Sequence, residues 1–312
     1  MRVVFMGTPD FAVPSLEALI GAGYDIVGVF TQPDKPKGRG NKLAPSPVKE
    51  CAISHNIPVF QPNRIRKDGV EDLKSLAPDL CVTAAFGQIL SQEILDIPKQ
   101  GTVNVHASLL PRHRGSAPIN WCVLMGENKT GITTMMTDKG IDTGDMLLQK
   151  ETDIQPDETA GELSIRLSML GAKTLLETLS LLKEGRCPRI PQDHGNHTYE
   201  PMLKKEMGLI DWHKNAREIQ NQVRGLDPWP GTYTPFPDGI LKVIKAKAET
   251  GLSGIPGQVL AADGKMGLVV AAEEAAVRIL RLQAPGGKQM DARDYLRGHP
   301  LTPGTIWQEN KE

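Results

Sequence analysis

The chain has 312 residues, 36 Lys and Arg against 37 Asp and Glu, a net charge of -1 and 39% hydrophobic residues; this length buries a sizeable core and fits two domains better than one. Its four cysteines, Cys51, Cys81, Cys122 and Cys187, lie far apart with no CxxC pair, which argues against metal-site spacing and fits reduced thiols in a cytoplasmic protein. No apolar run reaches the roughly 18 residues that a membrane span needs, and the opening residues, Arg2 and a few apolar side chains before Gly7, lack a signal-peptide pattern.

Val3, Val4, Phe5 and Met6 form an apolar run that ends at Gly7 and reads as a first strand. Pro14 opens a helical pattern through Leu16, Leu19 and Ile20 that stops at Gly21 and Gly23. The turn Gly7-Thr8-Pro9-Asp10 sits where dinucleotide loops sit but lacks their second and third glycines, so nicotinamide binding is not expected. Residues 25–30 predict a second strand. The segment after it carries Lys35, Lys37, Arg39 and Lys42, with glycines on both sides of Arg39. Such a stretch suits a mobile arm reaching phosphates, but taken by itself it reads first as an ordinary solvated loop. A helix over 48–54 and a strand over 79–85 follow. Short apolar runs bounded by Gly and Pro and separated by helices predict an α/β fold with a parallel sheet covered on both faces. Ligands of such sheets lie beyond the carboxyl ends of the strands.

The run Thr102, Val103, Val105 predicts another strand, on which Asn104 and His106 share a face because side chains alternate. Residues 131–136 form a further apolar run, followed by the acidic, glycine-bearing turn 138–145 with Asp138, Asp142 and Asp145. An amide, an imidazole and a carboxylate together can hold charge on a carbonyl oxygen and move a proton near neutral pH. The same residues would also serve as a buried histidine on backbone, a turn asparagine and a solvated aspartate, and spacing does not choose between these. Ser108 lacks the Gly-x-Ser-x-Gly elbow, which disfavours acyl-enzyme chemistry.

A long helical pattern over 159–182 closes the first part. Residues 184–206 then bring Pro188, Pro191, Pro201, Gly185 and Gly195 with scattered charges, which reads as a linker. One helix over 216–224, a Pro/Gly-rich turn at 227–231 and short β-like segments at 241–248, 258–262, 267–271 and 277–282 predict a small barrel or sandwich. The expected domains are 1–187, a linker 188–206, and 207–312.

Several stretches together resemble the methionyl-tRNA formyltransferase family. They are Met6-Gly7-Thr8-Pro9-Asp10-Phe11, Thr31-Gln32-Pro33-Asp34 through Gly38-Arg39-Gly40, Pro45-Ser46-Pro47-Val48-Lys49, Asn104-Val105-His106 with Ser108-Leu109-Leu110-Pro111, Arg114-Gly115, Ala117-Pro118-Ile119 and Gly140-Ile141-Asp142-Thr143-Gly144-Asp145. In the second part they are Ile210-Asp211-Trp212 and Pro228-Trp229-Pro230. The resemblance implies a Rossmann-like catalytic domain and a smaller OB-like β-barrel that assists tRNA binding. It implies transfer of a formyl group from 10-formyltetrahydrofolate, as co-substrate and without a metal, to the α-amino group of initiator methionyl-tRNA. Carried over by position, Asn104 and His106 would hold the oxyanion, and Asp142 would govern the charge and orientation of His106. Ser108, Leu109, Leu110 and Pro111 would bind folate, and Phe86, Gly87, Gln88, Ile89 and Leu90 would line the pterin pocket. Lys35, Lys37, Arg39 and Lys42 would form the arm against the acceptor stem.

Phe86, Ser91 and His113 depart from the family's usual Tyr, Pro and aromatic residue. An amino-sugar formyltransferase or a formyl-folate hydrolase is the alternative, disfavoured because a small substrate needs no cationic arm. Glycinamide ribonucleotide formyltransferase shares the trio but leaves the C-terminal part unexplained, and a non-catalytic RNA-binding protein has no need of the trio. A monomer is expected.

Overall fold

A computed structural model describes residues 1–37, 42–237 and 239–307. Contacts divide the chain into two compact units: residues 1–118, 129–153 and 164–200, and residues 119–128, 154–163 and 201–312.

In the first unit the strands are β1 (Arg2–Gly7), β2 (Asp25–Phe30), β3 (Lys35–Lys37), β4 (Lys42–Ala44), β5 (Val59–Phe60), β6 (Leu80–Ala84), β7 (Thr102–His106), β8 (Arg114–Gly115), β9 (Lys129–Met136), β10 (Met146–Asp153) and β11 (Tyr199–Glu200). The main sheet has seven strands in the order β10-β9-β7-β6-β1-β2-β5. Strands β5, β2, β1, β6 and β7 run parallel, as the sequence leads one to expect. The departure is at one edge, where β9 runs antiparallel to both β7 and β10. Residues 137–145 return the chain directly from β9 to β10, and so short a return produces an antiparallel pair.

Helix α1 (Val13–Gly21) has proline in its first turn and ends just before Gly23, which sits at φ 76. Helix α2 (Pro47–Ser54) begins where the Ser46 hydroxyl accepts from the Lys49 N–H at 3.1 Å, with proline next to the cap. The short helices α3 (Ile65–Asp68), α4 (Val70–Leu76) and α5 (Gln92–Leu95) follow. Ile65, Val70, Leu73 and Ile94 from these helices form a core cluster with Val4, Met6, Phe30 and Cys81 of the sheet.

Helix α6 (Pro118–Leu124) belongs to the second unit from Ile119 on, and helix α7 (Ala160–Lys183) to the first from Ser164 on. The second unit adds α8 (Ala216–Gly225), strands β12 (Thr232–Phe236), β13 (Gly239–Glu249), β14 (Val259–Asp263), β15 (Gly267–Ala271), β16 (Ala276–Gln283) and β17 (Gln289–Asp291), and α9 (Ala292–Gly298). Its six strands pair antiparallel throughout. Asn215 and Glu218 cap α8 reciprocally, the Asn215 side chain accepting from the Glu218 N–H at 2.9 Å and the Glu218 carboxylate from the Asn215 N–H at 3.1 Å. The apolar face of α8 (Ile219, Val223) joins Trp212, Leu241, Val243, Ile279 and Trp307 in a core where the two tryptophan rings meet edge to face at 5.9 Å. No helix among the described residues is long and apolar enough to cross a membrane.

Candidate active site

Strand β7 supplies Asn104 and His106. Across the sheet Asn104 stands opposite Thr83 of β6, whose hydroxyl donates to Asn104 Oδ1 at 2.8 Å. His106 is buried, and its Nε2 lies 2.9 Å from the backbone oxygen of His113. A carbonyl oxygen only accepts, so Nε2 carries the hydrogen, and the remaining nitrogen, Nδ1, faces Asp142 Oδ1 at 3.7 Å. The structure thus brings His106 and Asp142 together, with Asn104 two residues upstream on the same face of the strand.

The antiparallel course of β9 explains how Asp142 arrives there. Met136, at the end of β9, pairs with Val103 near the start of β7, while His106 pairs with Thr133. Turn 137–145 therefore starts beside the entry of β7 and runs up to the imidazole. Within it the Asp138 carboxylate accepts from the Gly140 N–H at 3.0 Å and the Thr143 hydroxyl at 2.6 Å, which folds the turn on itself. A Cβ on Gly144 would overlap the Met136 carbonyl oxygen, so the position requires glycine. Asp142 itself sits at φ 53, in the left-handed region, and its Oδ2 accepts from the Gly115 N–H at 2.9 Å.

Sequence reasoning missed the segment that completes this frame. Residues 192–200, expected to be linker, belong to the first unit. Buried Gln192 donates through Nε2 to the carbonyl oxygens of Asp142 and Gly144, at 2.9 and 2.8 Å. Thr198 holds the backbone of the 113–114 stretch, accepting from the His113 N–H at 2.7 Å and the Arg114 N–H at 3.0 Å. Strand β11 pairs with β8, and the buried Glu200 carboxylate lies 3.0 Å from His113 Nδ1. Glutamine and proline in a polar stretch give no periodic signal, and only position in the fold identifies them.

The remaining expected residues divide between side chain and backbone. Ser108 is buried, its hydroxyl donating to the Arg112 carbonyl at 2.7 Å. Leu110 is buried and its N–H reaches the Thr133 hydroxyl at 3.2 Å, while Leu109 and Pro111 are half-buried. The Phe86 ring belongs to the core cluster under the sheet. Its carbonyl oxygen accepts from the Thr8 hydroxyl and Gln32 Nε2, at 3.0 and 3.2 Å, and Gly87, at φ 75, accepts from Gln32 at 3.1 Å. Gln88 is tied at both ends of its amide, to the Ile65 N–H at 2.7 Å and the Pro62 carbonyl at 3.0 Å. Leu90 packs on the core, and Ile89 is 70% exposed.

In the basic segment Lys35 Nζ donates to Gln32 at 2.6 Å. The side chains of Lys37 and Lys42, and Arg39 altogether, lie outside the described residues. At the base of this segment Lys49 Nζ bonds both Asp34 oxygens, at 2.7 and 2.9 Å, and Gln61 at 2.7 Å. The ammonium of Lys49, and then the Gln61 amide, hold the Asp34 carboxyl below its usual value.

All four cysteines lie outside any disulfide, and burial pushes the Cys81 thiol up to about 12, far from a thiolate at neutral pH. Among the described residues no group of three or more His, Cys, Asp or Glu side chains could hold a metal ion. An open cavity of about 460 Å³ lies among segments 10–14, 47–51 and 164–169, and its lining includes none of Asn104, His106 and Asp142.

The family model for formyl transferase matches residues 1–179, and that for the formyl transferase C-terminal domain matches residues 202–300. The chain is 52% identical over 307 residues to the methionyl-tRNA formyltransferase of Geotalea uraniireducens, covering 98% of this chain and 97% of that protein. It is 49% identical over 307 residues to the methionyl-tRNA formyltransferase of Clostridioides difficile, covering 98% and 99%. Among solved structures, a variant of HypX from Aquifex aeolicus matches all of this chain and 50% of its own at a TM-score of 0.67 and 18% identity. The sugar 3N-formyl transferase WlaRD matches 89% of this chain and 96% of its own at a TM-score of 0.67 and 20% identity. At those identities the two structures speak for the fold alone.

Proposed function

The chain belongs to the methionyl-tRNA formyltransferase family, whose activity is formylation of initiator methionyl-tRNA, and on that premise we propose that Asn104, His106 and Asp142 carry the transfer, with 10-formyltetrahydrofolate as donor. Bound folate supplies an activated formyl group. The loops proposed to hold it suit a flat heteroaromatic ring: Ile89 presents an exposed apolar side chain, Gln32 holds the Phe86 and Gly87 carbonyls, and the Gln88 amide ties its segment to the backbone of Pro62 and Ile65. A braced backbone with apolar side chains beside it is what a pocket for such a ring needs.

In the reaction a bond forms between the α-amino nitrogen and the formyl carbon, the bond from that carbon to N10 breaks, and one proton passes overall from the amine to N10. The Asn104 amide, its oxygen already occupied by Thr83, has N–H donors to give to the developing oxyanion. His106, with Nε2 on a backbone carbonyl and Nδ1 toward a carboxylate, is held in one ring orientation beside that charge. Placing amine and formyl carbon side by side contributes much of the remaining acceleration. The basic segment, including Lys35, Lys37, Arg39 and Lys42, is the proposed arm on the acceptor stem, and the antiparallel domain an auxiliary tRNA-binding unit.

The observation that carries this reading is the approach of His106 Nδ1 to Asp142 at 3.7 Å. Its test is formation of N-formylmethionine from charged initiator tRNA and formyl-folate. The variants Asn104→Ala, His106→Ala and Asp142→Ala should each lower turnover by about 10² or more, with tRNA affinity little changed. Near-normal turnover in all three would end the assignment.

A further inference from the structure

Gln192 occupies a place that few side chains could fill. It is 4% exposed, and each polar atom of its amide is used twice. Nε2 donates to the carbonyl oxygens of Asp142 and Gly144 at 2.9 and 2.8 Å, and Oε1 accepts from Arg114 Nε and Nη2 at 3.0 and 2.7 Å. Arg114, 3% exposed, immediately precedes Gly115, whose N–H holds the Asp142 carboxylate at 2.9 Å. The bonds close a ring: from Gln192 to the Asp142 backbone, through its side chain to Gly115, and back through Arg114.

The ring encloses a residue that needs holding. Asp142 is a non-glycine residue at φ 53, a conformation that persists when surrounding bonds determine it. Gly115 fixes the carboxylate and Gln192 fixes the main chain, so together they set where Oδ1 stands relative to His106. A carboxylate in place of the amide would still accept from Arg114 but could not donate to two carbonyl oxygens. An apolar side chain could do neither. The chemistry at this point requires donor and acceptor on one planar group.

We infer that Gln192 is a positioning residue for the Asp142 carboxylate, fixing the backbone of turn 137–145 so that the carboxylate faces His106. The inference rests on the reading of His106 and Asp142 as the reacting pair. Displacement of a reacting group by about 1 Å costs up to about 10²-fold in rate. Gln192→Glu keeps the acceptor for Arg114 but replaces the donors with an oxygen facing the two carbonyl oxygens, so it breaks the contact to turn 137–145. Gln192→Met removes both and provides a neutral second variant should the glutamate fold poorly.

The test is a double-mutant cycle with Asp142→Asn on the full chain, measuring kcat and both KM values with formyl-folate and charged initiator tRNA. Expected is a fall in kcat of roughly 10- to 100-fold in Gln192→Glu and Gln192→Met. Both KM values should stay within about 3-fold, and the effect should largely vanish when Asp142 is already asparagine. Unchanged kcat in a folded Gln192 variant would overturn the proposal. So would an equal fall in the Asp142→Asn background, because the glutamine would then act through something other than that carboxylate. Normal turnover of Asp142→Asn alone would overturn the reading of the pair, and the proposal with it; the cycle registers that result separately.

Discussion

Thr83 donates its hydroxyl hydrogen to Asn104 Oδ1 at 2.8 Å across the β6–β7 pairing. In this arrangement the amide oxygen is turned to Thr83, and Nδ2 is the end left to donate. Thr83→Val keeps the shape and removes the bond, which leaves the amide free to turn. One hydrogen bond of this kind contributes about 1 kcal/mol. Turnover in Thr83→Val should therefore fall about 5-fold, less than in Asn104→Ala, with the double variant close to Asn104→Ala alone. Steady-state kinetics on the three proteins checks this. Independent, multiplying effects would show that Thr83 does not act through the amide.

Thr133 does for segment 108–111 what Thr83 does for Asn104. Its fully buried hydroxyl donates to the Ser108 carbonyl at 2.7 Å and accepts from the Leu110 N–H at 3.2 Å and from Gln149 Nε2 at 3.0 Å. Thr133→Val would strip partners from buried backbone groups, each costing about 1–3 kcal/mol when left unsatisfied. The expected result is a lower unfolding free energy by that order and a KM for formyl-folate raised more than that for tRNA. Urea titration and paired KM measurements read both. Equal KM values to wild type, with the stability loss present, would separate segment 108–111 from folate binding.

The parts legible in the sequence are those with a local cause. Alternation on β7 puts Asn104 and His106 on one face, and Pro14 with Leu16 and Leu19 announces α1, which ends just before Gly23. Strand direction has no local cause, because apolar alternation reads the same both ways, and so the reversed course of β9 was not legible. Nor was the frame around Asp142. Gln192, Thr198 and Glu200 owe their burial and partners to residues some 50 to 90 positions away, and a stretch rich in proline and charge looks like a connector from within.

At the base of the basic segment, Asp34 is held ionised by Lys49 and Gln61, which lowers its carboxyl below the ordinary 3.8. A depressed acid stabilises the fold above its unfolded value and loses that contribution as pH falls through the folded value. The clamp should therefore be complete at neutral pH and fail only below about 3.8. Lys49→Met removes it at every pH. The expected outcome is a KM for charged tRNA raised several-fold, with kcat at saturating tRNA close to wild type. An unchanged KM for charged tRNA would uncouple this base from the proposed tRNA-binding arm.

Asp227 behaves in the opposite sense. It is half-buried in the second unit, its backbone oxygen accepting from the Gly161 N–H at 3.1 Å, and burial pushes its carboxyl above the ordinary 3.8, against a hydrogen bond from Thr159 that pulls it down. As pH rises past 3.8 the unfolded chain gives up this proton first, while the folded chain still holds it. Between the two values the native state binds more protons, so stability falls with rising pH and stays lower above the folded value. Asp227→Asn is neutral throughout and still offers an oxygen to Thr159, so it lacks that decline. Melting temperatures of both proteins, taken from pH 3.5 to 7, should diverge as pH rises, with the variant gaining on the wild type. The other titrating groups are common to both proteins and drop out of the difference. Parallel curves would mean that the buried carboxyl ionises as easily in the fold as in the open chain.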